Sequence, residues 1–369
     1  MTQTFEIPKS ETLQPAPLSI QKKRKLLVTG GAGFIGVNAA RHFLSKGWDV
    51  TIFDNFSRKG TDITARHLSN DFPNVRVVRG DVCKDFSLLC TEVAAHDAVI
   101  HLAAQVAVTT SITDPRNDIE QNVLGTFNVL EAIRMSSNRP PLIYTSTNKV
   151  YGSLEHLPVE ESLMRYEFKS LEHRLFGVSE SEKLDFHSPY GCSKGAADQY
   201  VIDYARIYGL KTMVFRQSCI YGENQFGVED QGWLAWFAIA LMLGKDLTLY
   251  GNGKQVRDAL FAGDLVRLYD MALERPDLMT GRAYNVGGGP QNTLSLLELL
   301  YHFDKNYGYR SNPKHAAIRA GDQPIFVADI RALEKDLGWR PMVDLTEGID
   351  RMHEWLKSHK EDVVRVFNS

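Results

Sequence analysis

The chain has 369 residues, 43% of them hydrophobic and 24% charged, with a formal net charge of −3. That balance belongs to a globular protein with enough length for a large core and a smaller second one. It carries no basic stripe or tail, so neither nucleic acid nor a membrane is an expected partner. The longest apolar run, Trp233 to Leu243, is far below the roughly 20 residues that cross a bilayer. Cys83, Cys90, Cys192 and Cys219 form no C-x-x-C pair and have no zinc-like histidine spacing, so we expect reduced thiols, no metal and a cytoplasmic location.

Residues 1–21 contain Pro8, Pro15 and Pro17 without apolar periodicity and read as a flexible tail with no signal peptide. Lys22 to Lys25 is a short basic run, expected as a solvated strand entry. Strands and helices then alternate. Lys25–Thr29 is a strand ending in a glycine cluster, and Ile35–Lys46 has helical spacing closed by Gly47. Further strands are predicted over 50–53, 75–79, 98–102, 142–145 and 211–216. Helices are predicted over 119–134 and 199–208. Apolar strands separated by helices indicate an α/β fold, a Rossmann-type doubly wound parallel sheet covered on both faces. From about Gln217 the pattern loosens into glycine-rich loops, aromatics and more helices, which we assign to a smaller C-terminal substrate-binding domain. The expected division is 22–216 plus about 258–287 for the dinucleotide-binding domain, and about 217–257 plus 288–369 for the other.

The first strand leads into Thr29-Gly30-Gly31-Ala32-Gly33-Phe34-Ile35-Gly36, where Gly30, Gly33 and Gly36 give G-x-x-G-x-x-G. A dinucleotide needs a tight turn there, a backbone close to its pyrophosphate and a helix N-terminus aimed at it. A lone glycine pattern is weak evidence; one that follows a strand and opens a helix is not. The second strand ends at Asp54-Asn55, about 20 residues on, where a carboxylate accepts ribose hydroxyls and repels a 2′-phosphate. That favours NAD over NADP, although Arg58 stands nearby and Asp54 has a competing reading as a loop cap. Asp81-Val82 follows the third strand, where a side chain can meet the adenine edge; Asp81 has a competing reading as a turn residue.

Tyr190-Gly191-Cys192-Ser193-Lys194 sets a tyrosine and a lysine four apart, on one face of any helix. An ammonium beside a phenol would favour the phenolate and lower its pKa. Thr147, after the fifth strand, is placed to hold a reacting oxygen. By spacing alone a surface pair is as good a reading; downstream of a complete dinucleotide motif it is not.

These motifs, with His101-Leu102-Ala103-Ala104, Asn122-Val123-Leu124-Gly125-Thr126, Val150-Tyr151-Gly152 and Arg257-Asp258, resemble the extended short-chain dehydrogenase/reductase family from about Lys25 to Trp355. Within it the chain is most similar to the CDP-paratose 2-epimerases, also called CDP-tyvelose epimerases. The segments carrying this are Ser146 to Gly152, Leu184 to Tyr200, Asp230-Gln231-Gly232-Trp233, Gly251 to Asp258, Asp322-Gln323 and Phe326 to Ile330.

The resemblance implies an NAD-dependent sugar-nucleotide epimerase that inverts C2 through a transient keto sugar. It makes Tyr190 the acid/base, Lys194 its partner and Thr147 the third member. Gly30, Gly33, Phe34, Ile35, Gly36, Asp54, Asn55, Asp81, Val82, Leu102, Ala103, Ala104 and Asn122 become cofactor positions, beside Tyr190 and Lys194. Asn148 and Lys149 face the sugar, and Arg257 and Arg319 hold the diphosphate, which a guanidinium grips through paired hydrogen bonds. It also implies a homodimer through the helices at Ile119–Arg134 and Gly195–Tyr208. Two departures stand out: Cys219 where many relatives have Asn, and Pro324 where a basic residue is expected. A 4,6-dehydratase would need an Asp-Glu pair after Thr147, where this chain has Asn148-Lys149. A reductase or decarboxylase, and a catalytically silent protein on this fold, are the other readings; the latter would be expected to lose Tyr190 or Lys194.

Overall fold

The computed structural model describes residues 23–319 and 322–368. The tail expected over 1–21 and Lys22 of the basic run lie outside these residues, as does Gly321.

Seven strands form the main sheet: β1 (Lys25–Thr29), β2 (Asp49–Asp54), β3 (Arg76–Arg79), β4 (Ala98–His101), β5 (Leu142–Thr147), β6 (Thr212–Gln217) and β7 (Thr280–Val286). Their order is β7-β6-β5-β4-β1-β2-β3 and every pairing is parallel. Successive side chains on a strand point to opposite faces, and here both faces are covered. Leu26 and Val28 therefore join a core with Val37, Phe43, Leu265 and Tyr269 on one side. Leu27 joins Leu89, Val129 and Val201 on the other. The order reverses between β1 and β4, and a crevice opens there at the carboxyl ends of the strands.

The helix predicted from Gln199 begins at Ser188 and runs 21 residues to Tyr208. Its first half lacks apolar periodicity because its buried face carries Tyr190, Ser193, Lys194 and Asp198, which are chemical groups rather than core. The helix predicted over 119–134 is interrupted by a π-helical turn at Glu120–Leu124 before Gly125–Met135. Such turns redirect side chains and recur at functional sites.

A second sheet is centred on the strand Val256–Phe261. It pairs antiparallel with Thr293–Ser295 and parallel with Ile325–Phe326 and Cys219–Tyr221. Leu234, Phe237 and Ile239 of the helix Trp233–Met242 pack there with Leu299, Phe303, Met352 and Leu356. The helix Leu296–Tyr307 starts at a capping box in which Ser295 and Glu298 satisfy one another's backbone N–H groups. The helix Ala262–Leu273 returns to the large sheet, packing beside Phe34–Ser45. Among the described residues no helix is long and apolar enough to cross a membrane.

Candidate active site

The loop after β1 is shaped by contacts that only glycine allows. Gly30 has φ +66°, and a Cβ on it would stand 2.6 Å from the Ala103 backbone nitrogen. A Cβ on Gly36 would stand 2.4 Å from the Gly30 carbonyl oxygen, so the helix Phe34–Ser45 can start hard against the loop. At Gly33, its N-cap, a Cβ would crowd the Gly30 carbonyl oxygen at 3.2 Å, and the residue lines the cleft. This is the cradle that a pyrophosphate needs. The cleft it opens holds about 390 Å³ and is lined by Gly30, Gly33, Phe34, Ile35, Gly36, Asp54, Asn55, Val82, Leu102, Ala103 and Ala104 among others. Ser146 Oγ, on the same lining, is buried without a hydrogen-bond partner.

Asp54 lines the cleft and also fastens it. One carboxylate oxygen accepts from the Ala32 N–H (3.0 Å) and the other from the Phe56 N–H (2.8 Å). Burial raises its pKa despite those bonds. Asp81 and Asn122 adjoin the lining residues Val82 and Gln121 in the chain. Asp81 accepts from Asn55 Nδ2 (3.1 Å) and the Cys83 N–H (2.8 Å), a turn role that steadies Asn55 from behind. Asn122 is buried, accepts from the Gln105 N–H (2.9 Å) and donates to Ser193 Oγ (2.9 Å). It braces the helix that carries Tyr190.

Thr147, Tyr190 and Lys194 are all buried and line the cleft together. The Tyr190 N–H donates to Ser111 Oγ (3.1 Å), which fixes the first turn of its helix. The expected effect of lysine on tyrosine is not what the structure shows. Burial pushes the phenol up to about 12, with a hydrogen bond from Thr147 acting the other way. Lys194 Nζ donates to the Thr145 carbonyl (2.6 Å) and lies 4.4 Å from the Tyr144 ring centroid. Burial brings it down to about 7, opposed by Asp198 and Asp118. Desolvation dominates both groups, and what opposes it at the phenol is Thr147 and then Arg58 rather than Lys194.

A second cavity of about 380 Å³ continues from the first, sharing Asn148, Lys149, Ser218, Cys219 and Trp233 with it. Lys149, Arg257 and Arg319 all line it. Lys149 pairs with Asp322 (3.6 Å), and both line the second cavity. Burial brings Lys149 down to about 8, with Arg257 pushing the same way. Arg257 reaches the same Asp322 oxygen at 2.6 Å. Burial alone would raise Asp322, but Arg257, Lys149 and Arg319 hold it below the usual carboxylate range. Arg319 pairs with Asp230 (3.1 Å) and stacks on Tyr250 (3.8 Å). Asn148 Nδ2 donates to Gln323 Oε1 (3.3 Å), and Trp233 Nε1 donates to Cys219 Sγ (3.1 Å). The sequence reading missed Trp233, Tyr250 and Ser146 as lining residues, and assigned Asp230 and Asp322 no role. Ser146, Asp230, Trp233 and Asp322 lie within quoted motifs and Tyr250 adjoins one, and only the fold brings them together.

Comparison with known proteins places this geometry. The family model described as GDP-mannose 4,6 dehydratase matches residues 27–352. The chain is 46% identical over 341 residues to a CDP-paratose 2-epimerase of Salmonella typhi, covering 90% of this chain and 99% of that protein. It is 32% identical to dTDP-glucose 4,6-dehydratase 1 of Escherichia coli K12, covering 93% and 95%. A UDP-glucuronic acid 4-epimerase from Bacillus cereus, solved in complex with UDP-glucuronic acid and NAD, superposes with a TM-score of 0.76 at 26% identity, over 90% of this chain and 99% of that one.

Proposed function

The chain belongs to the GDP-mannose 4,6 dehydratase family of the extended short-chain dehydrogenase/reductases, and from that premise we propose that it epimerises a nucleotide-diphosphate sugar at C2, converting CDP-paratose to CDP-tyvelose. It is an enzyme of the sugar-nucleotide epimerase type and its cofactor is NAD. The glycine cradle fits that cofactor: Gly30 and Gly36 leave room for backbone where a Cβ would collide, and Gly33 lines the cleft. NAD supplies the site with a hydride acceptor that becomes a hydride donor.

The observation that carries the reading is that Thr147, Tyr190 and Lys194 are buried beside the dinucleotide cleft while Asn148 and Lys149 follow Thr147. We assign to Tyr190 the removal and return of the sugar hydroxyl proton. Thr147 holds the phenol, and Lys194 supplies positive charge behind it. Water loss from the sugar would need an acid and a base next to Thr147. An amide and an ammonium stand there instead, so the ketone survives to be reduced on its other face. Lys149 and Asn148 steady that ketone, and a cation there favours the negative charge that develops on its oxygen. Arg257 and Arg319 take the diphosphate, exchanging Asp322 and Asp230 for phosphate oxygens.

We further propose a cytoplasmic homodimer. Ile119, Phe127, Tyr200, Ile207 and Tyr208 expose apolar side chains on the two helices that the family pairs into a dimer interface. The test of function is incubation with CDP-, UDP- and GDP-sugars followed by proton NMR. We expect the C2 proton of CDP-paratose to convert to that of the epimer. Conversion of a UDP-sugar alone, or a change at C4, would overturn the assignment.

A further inference from the structure

Two loops of this chain touch across the mouth of the dinucleotide cleft. Residues 55–60 follow β2, and residues 222–232 lead from the strand Cys219–Tyr221 to the helix Trp233–Met242. Arg58 Nη2 donates to Gln231 Oε1 at 2.8 Å. Two residues on, Gly60 (φ +86°) leaves space where a Cβ would stand 2.7 Å from the Phe226 ring. Each loop also holds a non-glycine residue in the left-handed region, Phe56 at φ +58° and Asn224 at φ +66°. Such residues keep their conformation only where surrounding contacts impose it. The root of the second loop is pinned to the helix that opens the glycine cradle: Asn38 Nδ2 donates to the Glu223 carbonyl (2.9 Å), and Asn38 Oδ1 accepts from Asn224 Nδ2 (3.2 Å). Arg58, Gly60, Asn224, Phe226 and Gln231 all line the cleft.

We propose that Arg58 and Gln231 form a clasp over the cleft that opens to admit the dinucleotide and then slows its escape. This rests on the NAD reading above. One loop is anchored at its root and meets the other through a hydrogen bond at the solvent-exposed rim. A single hydrogen bond in that position can break and re-form while the roots of both loops stay in place. Retention has a chemical purpose here. An epimerase must return the hydride to the sugar it was taken from, and a cofactor lost between the two steps strands the ketone. Closure of this kind is a common function of loops that flank a reaction centre.

The experiment follows exchange of bound NAD for fluorescent 1,N6-etheno-NAD in the intact holoenzyme. Gln231→Ala and Arg58→Ala should each exchange about tenfold faster than the parent, the scale for losing one hydrogen bond to a charged group. Gln231→Glu keeps the acceptor and adds a charge opposite Arg58, so it should exchange no faster than the parent. Gln231→Ala within about twofold of the parent overturns the clasp. If Arg58→Ala is fast in that case, Arg58 grips the cofactor itself and Gln231 is incidental. Gln231→Glu faster than the parent also overturns it. A parent that takes up etheno-NADP and not etheno-NAD refutes the cofactor reading and the clasp with it.

Discussion

The two ends of the cleft hold charge by different means. At the dinucleotide end the work is done by backbone: glycines that admit close approach, a helix start at Gly33, and Asp54 fastened by the N–H groups of Ala32 and Phe56. At the sugar-nucleotide end it is done by side chains: Lys149, Arg257 and Arg319, matched by Asp322 and Asp230 drawn from separate segments. The first arrangement is rigid and ready before any ligand arrives. The second is an internal ion cluster in which carboxylates of the chain occupy the cations, pairs that the proposed diphosphate would have to exchange. Preorganised dipoles suit a cofactor that stays, and exchangeable ion pairs suit a substrate that leaves.

The sharpest way to test the boundary between the ends is Tyr190→Phe, which keeps the ring and removes the proton carrier. Turnover should fall by at least roughly 10²-fold, the usual scale of general acid–base catalysis. Near-normal turnover would move the chemistry to another group. At the backbone end, Asp54→Ala removes an acceptor that fastens the cradle and that we propose for a ribose. NAD affinity should weaken by about 1–3 kcal/mol, and acid precipitation of the parent should release NAD with little NADP. Mostly NADP in that supernatant would refute the role of Asp54.

At the side-chain end, Lys149→Met should slow epimerisation by about tenfold or more, as one lost electrostatic contact does. Lys149→Glu, followed by mass spectrometry, asks whether a carboxylate there permits dehydration. Parent-like turnover of Lys149→Met at saturating substrate would confine Lys149 to structure.

A further test reads the buried Lys194 through stability instead of turnover. Lys194 sits near 7 in the folded protein against an ordinary 10.5. Between those values the unfolded chain binds the extra proton, so this residue's contribution to stability rises with pH from about 7 and is flat below it. Relative to Lys194→Met, the parent should gain up to about 1.4 kcal/mol per pH unit in urea unfolding above pH 7. A difference that does not change with pH would mean that Lys194 keeps its ordinary pKa.

What the sequence disclosed follows the same division. The glycine loop, Asp54 and the alternation of strands were legible because each depends on neighbours a few residues away. Tyr190 and Lys194 were legible as a pair because four residues is one helical turn, although the helix itself was expected eleven residues too late. The apolar signal that marks a helix is missing where its buried face does chemistry. Asn122 sits in the π-helical turn Glu120–Leu124, and its hydrogen bond to Ser193, 71 residues on, is visible only in the fold. The phenol's raised pKa was hidden because desolvation depends on what covers the group, which no spacing reveals. Asp322 pairs with Lys149 from 173 residues downstream, so that partnership exists only in the fold.

That long reach bears on how the protein is made. Gln323 accepts from Asn148 and donates to the Gly152 carbonyl across more than 170 residues. A growing chain can therefore lay down β1 to β6 and the glycine cradle while the far wall of the sugar pocket has yet to be synthesised. Domains condense from the N-terminal side during translation, at roughly 5–20 residues per second. A nascent chain halted after Gln217 would hold the glycine cradle and Asp54 and lack Gln231 of the clasp as well as Arg257, Arg319, Asp322 and Gln323. During synthesis, cofactor capture can precede the ability to recognise substrate.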